Sequence, residues 1–168
     1  MTSKTIRDPL KDHLLTPQNS AFIIIDYQPI QVSSIRSMDQ KELVFNIVHT
    51  AKAAVNYRLP IVHSTVNVAT GKNKPPIQPL TDVLGAYPTY DRTSINSWED
   101  VEFKKAVVAT GRKKLIMAAL WTEACLTFPA LDALKERYEV YAVADASAEP
   151  RSRRMRPRCV ASSRPVAS

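Results

Sequence analysis

The stretch Ala21-Phe22-Ile23-Ile24-Ile25-Asp26 is a run of five apolar residues that ends in an acid. It is short and rich in β-branched side chains, which is typical of a strand buried on both faces of a parallel sheet. A carboxylate in such a place is costly to bury unless it is paired or takes part in chemistry. Asp26 is therefore the first candidate for a functional site, with a solvated strand-end acid or a structural cap as the alternative.

Other short apolar runs follow along the chain, and each of them predicts a strand. These runs lie at residues 59–66, 115–120 and 139–144, and the polar segment 89–92 is a candidate for a short third strand. The segments between them have the apolar spacing of helices or the Pro- and Asn-rich composition of loops. Helices are expected over 40–57, 97–110 and 122–137, and residues 67–88 are expected to form a long loop with one short helical turn near 80–85.

Three residues mark the ends of the predicted helices. Ser97 is expected to cap one helix and Gly111 to close it. Pro129 should kink the next helix or split off its first turns, because proline has no N–H to donate. The alternation of strands and helices predicts one three-layer α/β domain with a parallel sheet, over residues 1–147.

The net charge of +7 is concentrated near the end of the chain. Residues 151–168 hold six arginines and no acid, so the remainder is nearly neutral and nucleic-acid binding through a basic face of the domain is not indicated. Residues 148–168 are expected to form a basic, disordered tail. An arm for nucleic acid or an acidic partner, and a change of reading frame, are the alternatives.

Several classes of protein are excluded by composition. No run of 18 apolar residues exists, so no membrane span is expected. The polar start of the chain has no signal-peptide core, and two cysteines do not make a disulfide framework, so a cytoplasmic location is expected. The three histidines lack metal-ligand spacing and only three glycines occur, so neither a metal nor a phosphate-bearing cofactor is expected.

Cys125 is the candidate nucleophile. It comes five residues after a predicted strand and would lie in the first turn of a helix capped by Thr122. The free amides and the positive end of the helix dipole favour a thiolate there, and the same amides could hold an oxyanion. The alternative is that Cys125 is a small buried hydrophobic residue, as most single cysteines are.

Arg92 is the candidate cation, at the end of the predicted third strand. Ligands of open parallel sheets bind at the carboxyl ends of strands, and Asp26, Arg92 and Cys125 all fall at or just past such ends. A cation beside Asp26 and Cys125 would stabilise a thiolate and orient the acid. The alternative for Arg92 is a surface pair with Asp91.

Five stretches, in this order and spacing, resemble the isochorismatase-like hydrolase family, most closely its YcaC-related branch. They are AFIIIDYQ (21–28), RTSINSWED (92–100), ATGRKKLI (109–116), LWTEAC (120–125) and VADAS (143–147). The resemblance covers roughly residues 15–147. It implies a parallel sheet with strand order 3-2-1-4-5, since the sixth strand that family members usually add is not evident in this sequence.

The resemblance also implies a mechanism. Cys125 would attack a carbonyl carbon of a small-molecule amide or related acyl compound and form an acyl-enzyme, with Asp26 as general base and Arg92 as the basic residue. The amides of Trp121 and Cys125 would form the oxyanion hole, beside a cis peptide bond at Leu120–Trp121. No cofactor would be needed, and the chain lacks the histidines of the metal-binding nicotinamidases.

The substrate and the assembly are less defined. We expect four side chains to contact substrate, namely Gln28, Asn96, Trp98 and Trp121, and the protein to form a homo-oligomer. The alternative is a truncated, non-catalytic family member that acts as an oligomeric or interaction module.

Overall fold

A computed structural model describes residues 6–151 of the chain. Its centre is a sheet of five parallel strands in the order β3-β2-β1-β4-β5. The predicted strand order is therefore confirmed, and within residues 6–151 no sixth strand joins the sheet. The strands are β1 (Ser20–Ile25), β2 (Ile61–Val66), β3 (Thr89–Arg92), β4 (Lys114–Ala119) and β5 (Glu139–Ala142).

Five α-helices cover the two faces of this sheet. They are α1 (Pro29–Ser34), α2 (Gln40–Asn56), α3 (Gln78–Leu84), α4 (Val101–Ala109) and α5 (Thr127–Lys135). The sequence analysis missed α1, which is only six residues long and begins with a proline at its first turn. None of the helices in the described part of the chain is both long and apolar enough to cross a membrane.

The strand β1 lies at the centre and separates two hydrophobic cores. Phe22 and Ile24 pack on the side of α2 and α3, while Ala21, Ile23 and Ile25 pack on the side of α4 and α5. Every residue of β1 is buried. The predicted burial of this strand on both faces is thus confirmed.

The helix α4 begins later than predicted. Its cap is Asp100, whose carboxylate accepts a hydrogen bond from Phe103 N–H at 2.8 Å. Ser97, the predicted cap, instead begins a separate 3-10 turn (Ser97–Glu99), whose own cap is Asn96. Asp100 is the cap because its side chain accepts a hydrogen bond from a free amide of the first turn. The predicted closure by Gly111 is confirmed, with a left-handed φ of 66°.

The segment that contains Cys125 is not the simple α-helix that was predicted. A π-helical turn (Thr122–Leu126) comes first, and α5 follows from Thr127. Thr122 makes no capping hydrogen bond, so its predicted role as a cap is wrong. Pro129 is the third residue of α5, where an N–H would have no partner within the helix, so it is tolerated there. The predicted split of the first turns is therefore confirmed.

The chain stays packed beyond the predicted domain boundary at residue 147. Ala148 is 2% exposed and forms a parallel bridge with Leu120, and Ala148 O accepts from Thr122 N–H at 3.0 Å. Glu149 O accepts from Arg36 N–H at 3.2 Å. The packed domain therefore continues at least to Glu149, while most of the predicted tail, residues 152–168, lies outside the described residues.

Candidate active site

Asp26 lies directly after β1 in an unusual backbone conformation. Its φ is 64°, in the left-handed region that non-glycine residues rarely adopt, and its side chain is fully buried. Its N–H donates to Ser64 O at 3.0 Å, and its carbonyl accepts from Gln28 N–H at 2.8 Å. Conformations of this kind cluster at functional sites, so the backbone itself marks Asp26.

Arg92 forms a two-bond ion pair with Asp26. Its Nη1 and Nη2 donate to Asp26 Oδ1 and Oδ2, each at 2.7 Å. The guanidinium also donates to Ser64 Oγ at 3.1 Å and to the carbonyls of Thr65 and Ile95, each at 3.0 Å. Arg92 is 3% exposed, so the pair is desolvated and charge-assisted.

The alternative pairing of Arg92 with Asp91 is wrong. The Asp91 carboxylate instead accepts from Thr65 Oγ1 at 2.9 Å, Val68 N–H at 3.1 Å and Ala69 N–H at 2.8 Å. It therefore fastens the start of the loop after β2. Successive side chains of a strand point to opposite faces. The Asp91 side chain therefore binds the loop after β2, while the Arg92 side chain binds Asp26.

Cys125 lies in the π-helical turn and contacts the same carboxylate. Burial, followed by the charge of Asp26 and a hydrogen bond to Asp26, raises the pKa of the Cys125 thiol to about 12. A backbone hydrogen bond from Trp121 and the charge of Arg92 lower this pKa, but by less. A thiol with a raised pKa is largely protonated near neutral pH, so burial and the charge of Asp26 act against the predicted resting thiolate.

Trp121 borders Cys125. The peptide bond between Leu120 and Trp121 is cis, as the resemblance implied. Trp121 O accepts from Ala124 N–H at 3.1 Å and from Leu126 N–H at 3.3 Å. The half-buried indole donates through Nε1 to an oxygen on α1, Ser34 Oγ, at 2.7 Å. A backbone group of Trp121 also interacts with the Cys125 thiol and lowers its pKa.

Gln28 does not fit the predicted role of a substrate contact. Its side chain is fully buried, and its amide is taken up by backbone groups. Nε2 donates to Val66 O at 3.1 Å and to Lys74 O at 2.7 Å, while Oε1 accepts from Val66 N–H at 2.9 Å. The Gln28 side chain therefore holds backbone segments together instead of contacting substrate as predicted.

The side chains of Asn96 and Trp98 likewise form hydrogen bonds within the protein. Asn96 Nδ2 donates to Asp132 Oδ2 at 2.8 Å, and Trp98 Nε1 donates to Glu136 Oε1 at 3.1 Å. Trp98 is 5% exposed and packs edge-on against Tyr138 in the core. The first bond ties the segment after β3 to α5 and the second ties it to Glu136, just past the end of α5, so the donors predicted to contact substrate have partners within the protein.

The sequence analysis missed Ser64, which supports the ion pair. Its carbonyl accepts from Asp26 N–H, its hydroxyl accepts from Arg92, and the hydroxyl donates to Tyr90 O at 2.9 Å. Ser64 is fully buried. The available signal was a polar residue inside an otherwise buried strand, since such groups are nearly always hydrogen-bonded.

No group of three His, Cys, Asp or Glu residues that could hold a metal ion occurs among residues 6–151. The described site consists instead of Arg92, Asp26 and Cys125, joined at the carboxyl ends of β3, β1 and β4. An acid held by a cation and touching a buried thiol can remove the proton of that thiol.

The fold and this site define a three-layer α/β protein with a buried Asp–Arg–Cys arrangement. The chain belongs to the isochorismatase domain family, whose model matches residues 20–156. The probable hydrolase YcaC of Escherichia coli K12 is 34% identical over 134 residues, which are 79% of this chain and 64% of that protein. The chain thus spans a little under two thirds of the length of this curated relative.

Solved structures give the same picture. YcaC from Pseudomonas aeruginosa, with hexane-2,5-diol and covalent acrylamide, is 32% identical with a TM-score of 0.77, covering 88% of this chain and 70% of that one. The Escherichia coli YcaC gene product, described as an octameric hydrolase of unknown specificity, is 32% identical with a TM-score of 0.76, covering 88% and 69%. The nicotinamidase PncA of Bacillus subtilis shares the fold at 14% identity and a TM-score of 0.64, covering 79% and 88%.

Proposed function

We propose that this chain is a cysteine hydrolase that cleaves an amide or related acyl bond of a small molecule. The observation that carries the proposal is the buried Asp26 carboxylate, which Arg92 holds by two hydrogen bonds of 2.7 Å and whose charge acts on the buried Cys125 thiol. Membership of the isochorismatase family and the name of the Escherichia coli relative, probable hydrolase, support it.

In the proposed reaction, Asp26 takes the proton of Cys125 as the sulfur attacks the carbonyl carbon. The carbonyl oxygen becomes an oxyanion, which the backbone N–H groups of Trp121 and Cys125 stabilise. Asp26 then gives its proton to the leaving amine or alcohol, and a thioester on Cys125 remains. Water attacks this thioester, Asp26 takes a proton from the water, and the acid is released as Cys125 regains its proton.

The raised pKa of Cys125 suits this mechanism. A protonated thiol needs a base at the moment of attack, and Asp26 is the acid whose charge acts on this thiol. Arg92 keeps its charge throughout, because the hydrogen bonds and the charge of Asp26 outweigh the effect of burial and raise its pKa. The covalent acrylamide in the Pseudomonas aeruginosa relative supports a nucleophile of this kind, since acrylamide is an electrophile that thiolates attack.

The test is turnover of a panel of small amides and esters by the wild-type chain and by Cys125→Ala. We expect the variant to lose at least about 1000-fold in kcat/KM, because no other group can form the thioester. Cys159→Ser is the matched control and should keep its activity. Equal turnover by wild type and Cys125→Ala would disprove the nucleophile.

Alkylation gives a second readout of the same thiol. The sequence alone predicts quick labelling of Cys125 by iodoacetamide near neutral pH, but a pKa of about 12 leaves little thiolate there. We expect slow labelling at pH 7 that rises about tenfold per pH unit up to pH 9, because the rate follows the thiolate fraction. Peptide mapping separates Cys125 from Cys159, and a rate that is flat with pH would contradict the assignment.

We further propose that the chain forms a homo-oligomer, on the basis of the octameric Escherichia coli relative. Light scattering of the purified chain should then give one defined mass above that of the 18.8 kDa monomer. A defined oligomer without turnover would favour the alternative of a non-catalytic module, and a monomer would contradict the assembly.

A further inference from the structure

The hydrogen bonds of Gln28 connect the turn that carries Asp26 with the end of β2. Gln28 follows Asp26 by two residues, and its N–H donates back to Asp26 O, which closes a tight turn. Its side-chain amide holds both the N–H and the carbonyl of Val66. Val66 is the last residue of β2 and is the register partner of Arg92.

The attachment continues from Val66 to β3. Asn67 N–H donates to Arg92 O at 2.7 Å, directly after the residue that Gln28 holds. The turn that carries Asp26 is therefore fastened to the strand ends that carry Arg92. Because Asp26 has a left-handed φ of 64°, its turn is not a low-energy conformation of a free chain and needs such support.

We propose that Gln28 is a positioning residue that holds the Asp26 turn against the ends of β2 and β3, so that the carboxylate meets both Arg92 and Cys125. The inference rests on the proposed function for its catalytic part. Its structural part, the fixing of Asp26 by Gln28, stands on the hydrogen bonds alone. Gln28 Nε2 donates two hydrogen bonds and Oε1 accepts one, so the amide group cannot donate to a substrate without breaking one of these bonds.

The same hydrogen bonds of the Gln28 amide group are also consistent with a second role, the ordering of a loop. Gln28 Nε2 donates to Lys74 O at 2.7 Å and could simply order the loop at 67–77. A second side-chain bond ties that loop nearby, from Asn73 Nδ2 to Gln31 Oε1 at 3.2 Å. Asn73→Ala is therefore a matched control, because it removes a tie of the same loop and leaves the bonds between Asp26, Gln28 and Val66 in place.

The catalytic test uses p-nitrophenyl acetate as the probe. We expect Gln28→Met to lose about 100-fold in kcat with KM unchanged, because a small displacement of a reacting group has an effect of this size. Asn73→Ala should keep both constants near those of the wild type. A raised KM with unchanged kcat in Gln28→Met, or an equal loss of kcat in Asn73→Ala, would overturn the positioning role.

A double-mutant cycle tests the structural part without any turnover. Urea unfolding is measured for Gln28→Met, for Asp26→Asn and for the double variant. If Gln28 holds Asp26 in place, the loss of stability caused by Gln28→Met is smaller in the Asp26→Asn background. Additive losses would overturn the inference.

The two tests keep the two proposals apart. If the wild-type chain hydrolyses nothing, the proposed function fails while the cycle still decides whether Gln28 holds Asp26. If Gln28→Met does not fold, Gln28→Asn takes its place in both measurements, since it keeps the amide but shortens its reach by one methylene.

Discussion

Replacing Arg92 with methionine is expected to destabilise the protein by about 3–5 kcal/mol, because the change leaves the Asp26 carboxylate buried without its partner. The Arg92 side chain is 1% exposed and the Asp26 side chain is fully buried, so water cannot replace the two lost hydrogen bonds. The hydroxyl of Ser64 and the carbonyls of Thr65 and Ile95 lose a donor as well. Urea unfolding of wild type and variant measures the loss.

The control is the double variant Asp26→Asn/Arg92→Met, compared with the two single variants. Each single variant buries one unpaired charge, whereas the double variant buries none. The double variant should therefore lose clearly less than the sum of the two single losses. Strict additivity would show that the two groups do not interact as the geometry requires.

Turnover separates the structural from the catalytic effect of the pair. Under the proposed mechanism the double variant still lacks its general base, so its kcat/KM should stay at least about 100-fold below that of the wild type even where its stability recovers. Recovery of turnover along with stability would remove Asp26 from the mechanism.

Much of the fold follows from periodicity. Five strands were predicted close to their observed bounds, because short apolar runs bounded by turn residues leave few alternatives. The strand order came from the family resemblance and not from the pattern. The errors concern helices: α1 was missed, and α4 is capped by Asp100 rather than Ser97, because only Asp100 accepts a hydrogen bond from an amide in the first turn of α4.

The candidate site was harder to predict. The pattern of strands along the chain predicted that Asp26, Arg92 and Cys125 lie at or just past strand ends. The protonation of Cys125 was not, because the pKa depends on burial and on the contact with Asp26, which only the folded structure supplies.

Side-chain direction accounts for the remaining errors at the site. Gln28, Asn96 and Trp98 lie in the expected segments, but their polar groups turn toward backbone and helix partners. A motif gives the position of a residue in the chain and leaves the direction of its side chain open. Ser64 was missed for the same reason, since its pattern shows only a polar residue in a strand.

The stability of the protein is expected to fall as the pH is lowered from 6.5 to about 4, by up to about 3 kcal/mol, because of His63. His63 lies in β2, is 2% exposed, and its Nε2 has no hydrogen-bond partner among the described residues. Burial lowers its pKa from 6.5 to about 4. Below pH 6.5 the unfolded chain binds a proton at His63 that the folded chain does not. The free energy of unfolding therefore decreases as the pH falls, until the pH reaches the pKa of His63 in the folded protein.

The variant His63→Leu should remove this slope, as measured by urea unfolding at several pH values between 4 and 7. His49→Leu is the matched control, because His49 is exposed on α2, and it should keep the slope of the wild type. Asp12, Asp91 and Glu136 also have lowered pKa values and begin to lose their stabilising effect as the pH falls toward 4. Both histidine variants keep these acids, so the difference in slope between His63→Leu and His49→Leu measures the effect of His63. A wild-type stability that is flat between pH 6.5 and 4 would show that His63 is solvated or paired in solution.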